Sequence, residues 1–218
     1  MPDLPSYGHL STLAERASHF ILEPFVIDRT IVLASRSPRR RQLLAEAGYT
    51  FRVVPPHLVD ECGMCSRESP AEMVARLAFE KVADVARQVG VGLVLGCDTV
   101  AEIDGEVLGK PDSEALAWRM LDMLRGREHR VLSGVCLWDV PDGEPRVCVD
   151  VTRLRMDPLS DEQLDRYVQT YEWEGKAGGF GYQDGLDWVH IIEGNASNVV
   201  GLPMELLARM LSELGAST

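Results

Sequence analysis

A short apolar segment followed by a strongly marked helix start constrains the fold of this chain more than any other feature. Residues 31–34 read Ile-Val-Leu-Ala, which is typical of a buried strand. Ser37 is then a suitable N-cap, and Pro38 suits the first helical position. A strand that leads directly into a helix is the usual beginning of an α/β unit, so the segment favours a sheet covered by helices.

Three arginines, Arg39, Arg40 and Arg41, fall in the first turn of this predicted helix. The free N–H groups and the dipole at a helix N-terminus favour an anion and disfavour cations. A bound phosphate would neutralise the arginines, but a solvated basic turn would explain them equally well. The segment alone leaves both interpretations open.

The remaining pattern continues the α/β theme. Apolar runs predict strands, the Asp104-Gly105 pair predicts a hairpin, and Ser-Pro-Ala-Glu at 69–72 predicts a capping box. The predicted strands are 31–34, 51–54, 92–97, 129–140, 146–156 and 188–192; the predicted helices are 12–21, 38–47, 69–89, 113–124, a helix from 160, and 203–214; a glycine-rich loop spans 175–185.

Composition limits the partners. The 218 residues carry a net charge of −12, which repels nucleic acid, so binding to a polymer is not expected. No apolar run approaches the roughly 20 residues that span a bilayer, and the first residues lack a signal-type apolar core. We therefore expect a cytoplasmic protein with no membrane partner. The negative net charge is compatible with a small phosphorylated ligand, provided that the protein has a local cationic pocket and binds a divalent metal.

The five cysteines do not form a disulfide framework, because their number is odd. Cys97, Cys136 and Cys148 lie in predicted strands. Cys62 and Cys65 have C-x-x-C spacing, but no second pair or suitably spaced histidine completes a zinc site. We favour two reduced loop thiols over a redox pair.

Several charged residues stand where chemistry is possible. Asp98 follows an apolar strand, where we expect the chain to leave the sheet, and ligands bind at such strand ends in open α/β sheets. A carboxylate there can be a general base, a metal ligand or the cap of its own turn. Lys81, Lys110 and Glu61, each taken alone, are equally well explained as solvent-facing residues.

The combination of segments is more specific than any one of them. The chain resembles the Maf family, the septum-formation-inhibitor-like nucleotide pyrophosphatases, in a series of segments that occur in family order. They are 33–40 (Leu-Ala-Ser-Arg-Ser-Pro-Arg-Arg), 59–61, 76–81, 96–99 with 105–111, 133–135, 176–178 with 182–183, and 198–203. We therefore expect a Maf-like domain over residues 30–218, preceded by an N-terminal extension over residues 1–29.

The resemblance implies a fold, a reaction and a site. The implied fold is a long twisted mixed sheet with helices in two lobes around a nucleotide cleft, related to the inosine-triphosphate pyrophosphatases. The implied reaction converts a nucleoside triphosphate to the monophosphate and pyrophosphate. Within the site the resemblance assigns Asp98 as base, with Glu61, Lys81 and Lys110 as further catalytic residues. By the chemistry of their side chains we expect Ser35, Ser37, Arg39 and Arg40 to bind phosphate oxygens, and Asp98 with Glu61 to hold Mg²⁺ or Mn²⁺.

The resemblance also implies a substrate. Arg40, Thr99 and Gln183 occupy three specificity positions with the residues of the dTTP/UTP branch, whereas another branch acts on 7-methyl-GTP. A glutamine offers both a donor and an acceptor to a uracil edge. Arg36 is bulkier than the residue often found at its position, so it would alter affinity if it leaned into the cleft. Family members are commonly dimers, and the sequence is compatible with a homodimer.

Two other functions stay open at this point. One is a non-catalytic nucleotide-binding regulator of cell division, against which the intact set of Asp98, Lys81 and Lys110 argues. The other is a pyrophosphatase for 7-methyl-GTP or for non-standard purine triphosphates.

Overall fold

A mixed seven-stranded sheet covered by helices forms the centre of the molecule. The computed structural model describes residues 29–57, 65 and 67–215. The strands are β1 Ile31–Leu33, β2 Phe51–Val53, β3 Gly92–Ile103, β4 Glu106–Leu108, β5 Glu128–Val140, β6 Arg146–Met156 and β7 Val189–Glu193; the helices are α1 Pro38–Glu46, α2 Pro70–Val89, α3 Glu114–Leu124, α4 Asp161–Val168, α5 Ala196–Val200 and α6 Met204–Gly215. The expected helix over 12–21 and most of the N-terminal extension lie outside the described residues.

The helix starts and turns form where the sequence predicts them. Ser69 and Glu72 make a reciprocal capping box at the start of α2, and Ser160 does the same with Gln163 at α4. The β3–β4 hairpin turns through Asp104 and Gly105, both with positive φ (53° and 86°), as a tight two-residue hairpin turn requires. Local chemistry therefore sets the element boundaries in this part of the chain.

Strand β3 changes partners along its length. It pairs with β5 on one side from Gly92 to Glu102, but on the other side it pairs with β1 only up to Leu95 and with β4 only from Ala101. Between these points, at residues 96–100, no described strand occupies that side. We call this interval the gap. The expectation that Asp98 follows the strand is wrong: β5 continues the pairing past the end of β1, so Asp98 lies within β3.

Two glycines let α2 lie directly on the sheet. A Cβ at Gly96 of β3 would lie 2.9 Å from Ala78 O, and one at Gly134 of β5 would overlap the Val74 carbonyl group. Real Cβ atoms do not tolerate such contacts, so both positions need glycine. The close approach fixes the height of α2 above β3 and β5, and with it the position of every side chain that α2 directs at the sheet.

Each end of the long strands has its own core, which gives the expected two lobes. One core joins the end of β3, β4, α3 and α4, with Leu121, Leu154 and Leu164 fully buried. The other joins β1, α1 and α6, with Leu33, Leu44 and Leu207 fully buried. Strands β3 and β5 run through both lobes, so the mixed α/β fold with two lobes is confirmed.

The cysteines that the sequence places in strands are found there. Cys97 and Cys136 are buried in β3 and β5, and Cys148 is half-buried in β6. Cys65 is exposed, and Cys62 lies outside the described residues, so two reduced loop thiols stay a prediction. None of the described helices combines the length and apolar character that a membrane crossing needs.

Candidate active site

A cavity of about 550 Å³ lies beside the gap, between the two lobes. Every site residue predicted from the sequence that belongs to the described part of the chain lines this cavity. These are Ser35, Ser37, Arg39, Arg40, Lys81, Asp98, Thr99, Lys110 and Gln183. They come from segments as distant as residues 35 and 183, and the fold brings them to one place. The remaining predicted residue, Glu61, lies outside the described residues.

The gap explains how neighbouring residues of one strand reach the same cavity. Asp98 and Thr99 are consecutive in β3, so their side chains point to opposite faces of the sheet. In a continuous sheet a neighbouring strand would separate them. Because no described strand covers β3 here, the cavity has access to both faces at its edge. We call the five residues Ser35, Arg40, Lys81, Asp98 and Thr99 the sheet wall.

A buried ion pair forms one end of the sheet wall. Asp98 is only 5% exposed, and its Oδ1 accepts a hydrogen bond from Lys81 Nζ at 2.5 Å. Lys81 reaches it from α2, whose distance from the sheet is set by the contact over Gly96. The lysine whose sequence context suggests a solvated helix face is therefore directed inward by packing. A carboxylate and an ammonium that are both largely removed from water interact strongly.

A hydrogen-bond network holds the other end of the sheet wall. Arg40 Nε donates to Gly201 O at 2.8 Å, and Arg40 Nη2 donates to Thr99 Oγ1 at 3.2 Å. Thr99 Oγ1 also lies 2.8 Å from the Oγ of Ser133, which is fully buried. Arg40 Nη1 reaches Ser35 Oγ at 3.3 Å. The guanidinium and the threonine are thus fixed before any ligand arrives.

The Gly201 carbonyl is the centre of this network, and the sequence did not single it out. It accepts from Arg40 and from the Thr99 hydroxyl at 3.3 Å. Its position depends on α5, which Asn198 anchors by donating to Val131 O at 3.1 Å and to Thr152 Oγ1 at 3.0 Å. Gly201 and Asn198 both belong to the segment 198–203 that contributes to the resemblance, and this anchoring gives that segment a structural role.

The first turn of α1 presents cations to the cavity. Arg39 donates to Gly175 O at 2.8 Å. Burial lowers the pKa of Arg39, the nearby charge of Arg40 lowers it further, and the Asp184 carboxylate acts in the opposite direction. Such a partly buried pair of arginines would be stabilised by an anion. Arg36 also borders the cavity, with its guanidinium bonded to Pro56 O at 3.0 Å, so it is held at the rim.

The opposite side of the cavity is the glycine-rich loop over residues 175–185, which we call the loop wall. It contains two short 3₁₀ turns, Ala177–Gly179 and Tyr182–Asp184, and Gln183 lies on the second. Within the described part of the chain, the Gln183 amide makes no side-chain hydrogen bond, so its donor and acceptor are available to a ligand. The loop wall also brings Lys176 and Phe180 to the cavity, and neither had been assigned a role from the sequence.

Among the described residues that line the cavity, Asp98 supplies the one buried carboxylate for a metal ion. The described residues contain no group of three or more His, Cys, Asp or Glu side chains that could hold a metal. A Mg²⁺ ion in a nucleotide site needs fewer protein ligands than such a group provides, because one or two carboxylates and the phosphates of the substrate complete its coordination. The Asp98 carboxylate suits this arrangement.

Comparison with known proteins identifies the family of this chain. Residues 30–214 match the family described as Maf-like protein. The dTTP/UTP pyrophosphatase of Rhodopirellula baltica is 53% identical over 183 residues, covering 84% of this chain and 81% of its own. The dTTP/UTP pyrophosphatase of Dictyoglomus thermophilum is 43% identical, covering 87% and 98%. Among solved structures, a HAM1 protein from Coxiella burnetii aligns over 85% of this chain and 99% of its own, with 18% identity and a TM-score of 0.49. On the family match and the identities to these relatives, the chain belongs to the Maf family.

Proposed function

We propose that this protein is a nucleoside triphosphate pyrophosphatase that hydrolyses dTTP and UTP to the monophosphate and pyrophosphate. One observation carries the proposal: a buried carboxylate paired with a lysine, a cluster of cations and an unpartnered amide line the same cavity. The names of the relatives from Rhodopirellula and Dictyoglomus support the same activity and the same substrates.

Asp98 is the proposed base. Lys81 engages its Oδ1, and Oδ2 receives no hydrogen bond within the described residues, so Oδ2 is free to accept a proton. A water molecule attacks the α-phosphorus while its proton passes to Asp98, and the bond between that phosphorus and the bridging oxygen breaks. The pyrophosphate leaves with the bonding electrons. Arg39, Lys81 and Lys110 would neutralise the phosphate oxygens, while Ser35, Ser37 and Arg40 would position them.

A divalent cation fits this scheme. Asp98, together with Glu61, would hold Mg²⁺ or Mn²⁺, and the ion would neutralise charge on the phosphates. Removing divalent ions with a chelator and restoring Mg²⁺ or Mn²⁺ separately would identify the ion from the recovered turnover. Unchanged turnover after chelation would contradict the metal requirement.

Arg40, Thr99 and Gln183 are the proposed specificity residues. Uracil and thymine present an N3–H donor beside a carbonyl acceptor, and a glutamine amide can match both. Arg40 and Thr99 are already bonded to each other, so they give the base pocket a fixed boundary on the sheet wall.

The direct test measures pyrophosphate release by the purified full chain on dTTP, UTP, CTP, ATP, GTP, ITP and 7-methyl-GTP. We expect turnover of dTTP and UTP, and a loss of about 1,000-fold in Asp98→Asn, which keeps the size of the side chain but removes the base. Preferred turnover of 7-methyl-GTP or ITP would contradict the substrate assignment. Saturable nucleotide binding without turnover would instead indicate the non-catalytic regulator.

Four further expectations also remain proposals. A homodimer would be tested by light scattering of the purified protein, and a cytoplasmic location by fractionation of cells. Deletion of residues 1–29 with retained dTTP turnover would support their assignment as an extension outside the catalytic domain. A role in septum formation would be tested by the division phenotype of a strain carrying Asp98→Asn.

A further inference from the structure

An ion pair closes the loop wall, and none of the roles proposed above uses it. Lys176 and Asp184 stand near the two ends of the loop, and the Lys176 ammonium donates to Asp184 Oδ2. Their side chains are only 12% and 23% exposed, so the pair lies largely within the loop. Between them the chain carries Phe180 and Gln183, both of which line the cavity.

The Lys176–Asp184 ion pair packs directly against the backbone of Gly181. A Cβ at Gly181 would overlap Asp184 Oδ2 and would lie 2.5 Å from Lys176 Nζ, so any larger residue would displace the pair. The Gly181 carbonyl accepts from Asp184 N at 3.0 Å, which closes the 3₁₀ turn Tyr182–Asp184. The ion pair and the turn that bears Gln183 therefore depend on each other.

The placement of Gln183 decides which base it accepts. The two ends of a glutamine amide have similar shapes, one donating and one accepting. Uracil presents a donor at N3 and an acceptor at position 4, whereas cytosine presents the reverse, so selection between them requires the glutamine amide to meet the base edge at one defined position and angle. Since Gln183 has no side-chain partner among the described residues, its placement depends on the turn that carries it.

We infer that Lys176 and Asp184 are a positioning pair that fixes the turn carrying Gln183 and so sets the preference for uracil and thymine over cytosine. The inference rests on the proposed function and deepens it. The charge of Asp184 also reaches Arg39, where it opposes the lowering of the arginine pKa by burial. A charge-neutral disruption of the pair is therefore needed beside the charge-removing one.

The first experiment removes the charge. We expect Asp184→Asn to reduce the ratio of kcat/KM for dTTP to that for CTP by about tenfold, because small misplacements of positioning groups have effects of this order. Asp184→Glu should retain most of the preference. Glu193→Gln breaks the exposed Arg153–Glu193 pair far along β7 and serves as the matched control with an unchanged ratio.

A double-mutant cycle tests whether the two residues act together. If they do, Lys176→Met combined with Asp184→Asn should lower the ratio no further than the more damaging single substitution. Additive losses would show that each residue acts on its own and would overturn the inference.

The third experiment displaces the pair without changing any charge. Gly181→Ala should reproduce the lost preference of Asp184→Asn, while the control Glu193→Gln should not. If the unchanged protein prefers dTTP and both Asp184→Asn and Gly181→Ala retain that preference, the inference is wrong and the proposed function stands. Failure of the unchanged protein to turn over dTTP at all would overturn both.

Discussion

The sheet wall and the loop wall meet at one cavity but are held in different ways. Asp98 and Thr99 of the sheet wall lie inside β3, which pairs with β5 along nearly its whole length, and their partners Lys81 and Arg40 extend from helices packed on the sheet. The loop wall has no strand pairing over residues 175–185. The Lys176–Asp184 ion pair, a few backbone hydrogen bonds, the bond from Arg39 to Gly175 O and the packing of Phe180 hold it.

This difference separates two tasks. Groups that move protons and neutralise phosphates need fixed positions, and a strand buried between neighbours provides them. Gln183, the one proposed specificity residue outside the sheet wall, lies on the loop, whose sequence can change without disturbing the core. Changes to the sheet wall should therefore reduce both stability and turnover, whereas changes to the loop wall should alter the choice of substrate.

The largest effect should come from breaking the buried pair of the sheet wall. Lys81→Met leaves the Asp98 carboxylate buried without its ammonium partner, which should lower the free energy of unfolding by about 4 kcal/mol and also reduce turnover. Urea unfolding and pyrophosphate release would measure the two effects. A stable Lys81→Met protein that lost only turnover would show that the sheet wall does not couple chemistry to stability.

The contact between α2 and the sheet offers the next test. Gly134→Ala would push a methyl group into the Val74 carbonyl, and overpacking of this kind should lower the free energy of unfolding by about 3 kcal/mol. Thermal and urea unfolding would measure it, with Gly109→Ala as the control that has open space for the methyl group. Equal stability of the two variants would mean that α2 does not rest on Gly134.

A buried histidine tests how the loop wall is anchored. His129 packs edge-on against Phe180 of the loop wall, with ring centroids 5.4 Å apart. Burial lowers the pKa of His129 to about 4. Hydrogen bonding with the Arg127 backbone and the negative charge of Glu102 both raise this pKa, but their effect is smaller than that of burial. Below the ordinary histidine pKa the unfolded chain takes up a proton that the folded protein does not, so stability falls as the pH drops from about 6.5 towards 4.

This linkage has a measurable size. Between about pH 7.5 and pH 5 the histidine should reduce the free energy of unfolding by about 2 kcal/mol, a loss that His129→Leu should lack. Urea unfolding of both proteins at the two pH values would measure the difference. An identical pH dependence in the two proteins would show that His129 is not held neutral behind the loop.

The smallest effect on the fold, and the clearest on selection, should follow from Gln183→Ala. We expect the preference for dTTP over CTP to fall by about tenfold because the donor and acceptor for the base edge are lost. The thermal unfolding midpoint should hardly change, since the Gln183 amide has no side-chain partner in the described structure. A marked fall in the midpoint would show that the two walls are not as different as proposed.

The sequence predicted most elements of the fold because their boundaries are set locally. Local signals include the capping residues, the Asp104-Gly105 turn and the alternating apolar residues of the strands. Each of them depends only on residues that are close together in the sequence, so each can be recognised there. It did not predict that β3 continues through Asp98, because that depends on β5, whose pairing partners lie more than 30 residues further along the chain. It also missed the short helix α5, whose single turn is held by the distant contacts of Asn198.

The site divides in the same way. The residues that line the cavity were named from motifs carried by the resemblance, since no periodicity would have joined Ser35 to Gln183. The hydrogen bonds between these residues could not be predicted from the sequence, because they depend on how distant elements pack. Lys81 contacts Asp98 only because α2 lies close to the sheet, and Arg40 contacts Thr99 beside the Gly201 carbonyl. Lys176 and Asp184 are near in sequence, but only their contact over Gly181 in the folded chain suggests that they act together.

The short length of β1 has a consequence for how this protein can change over evolutionary time. The mouth of the cavity exists because β1 stops at Leu33, opposite Leu95, and β4 covers β3 only from Ala101 onwards, where its last residue, Leu108, pairs. An insertion that let β1 run two residues further would place backbone in the entrance. Insertions and deletions should therefore be rejected at the end of β1 and accepted at the hairpin between β5 and β6. Descendants of this chain would acquire new substrates by exchanging side chains, not by altering the number of residues around the entrance.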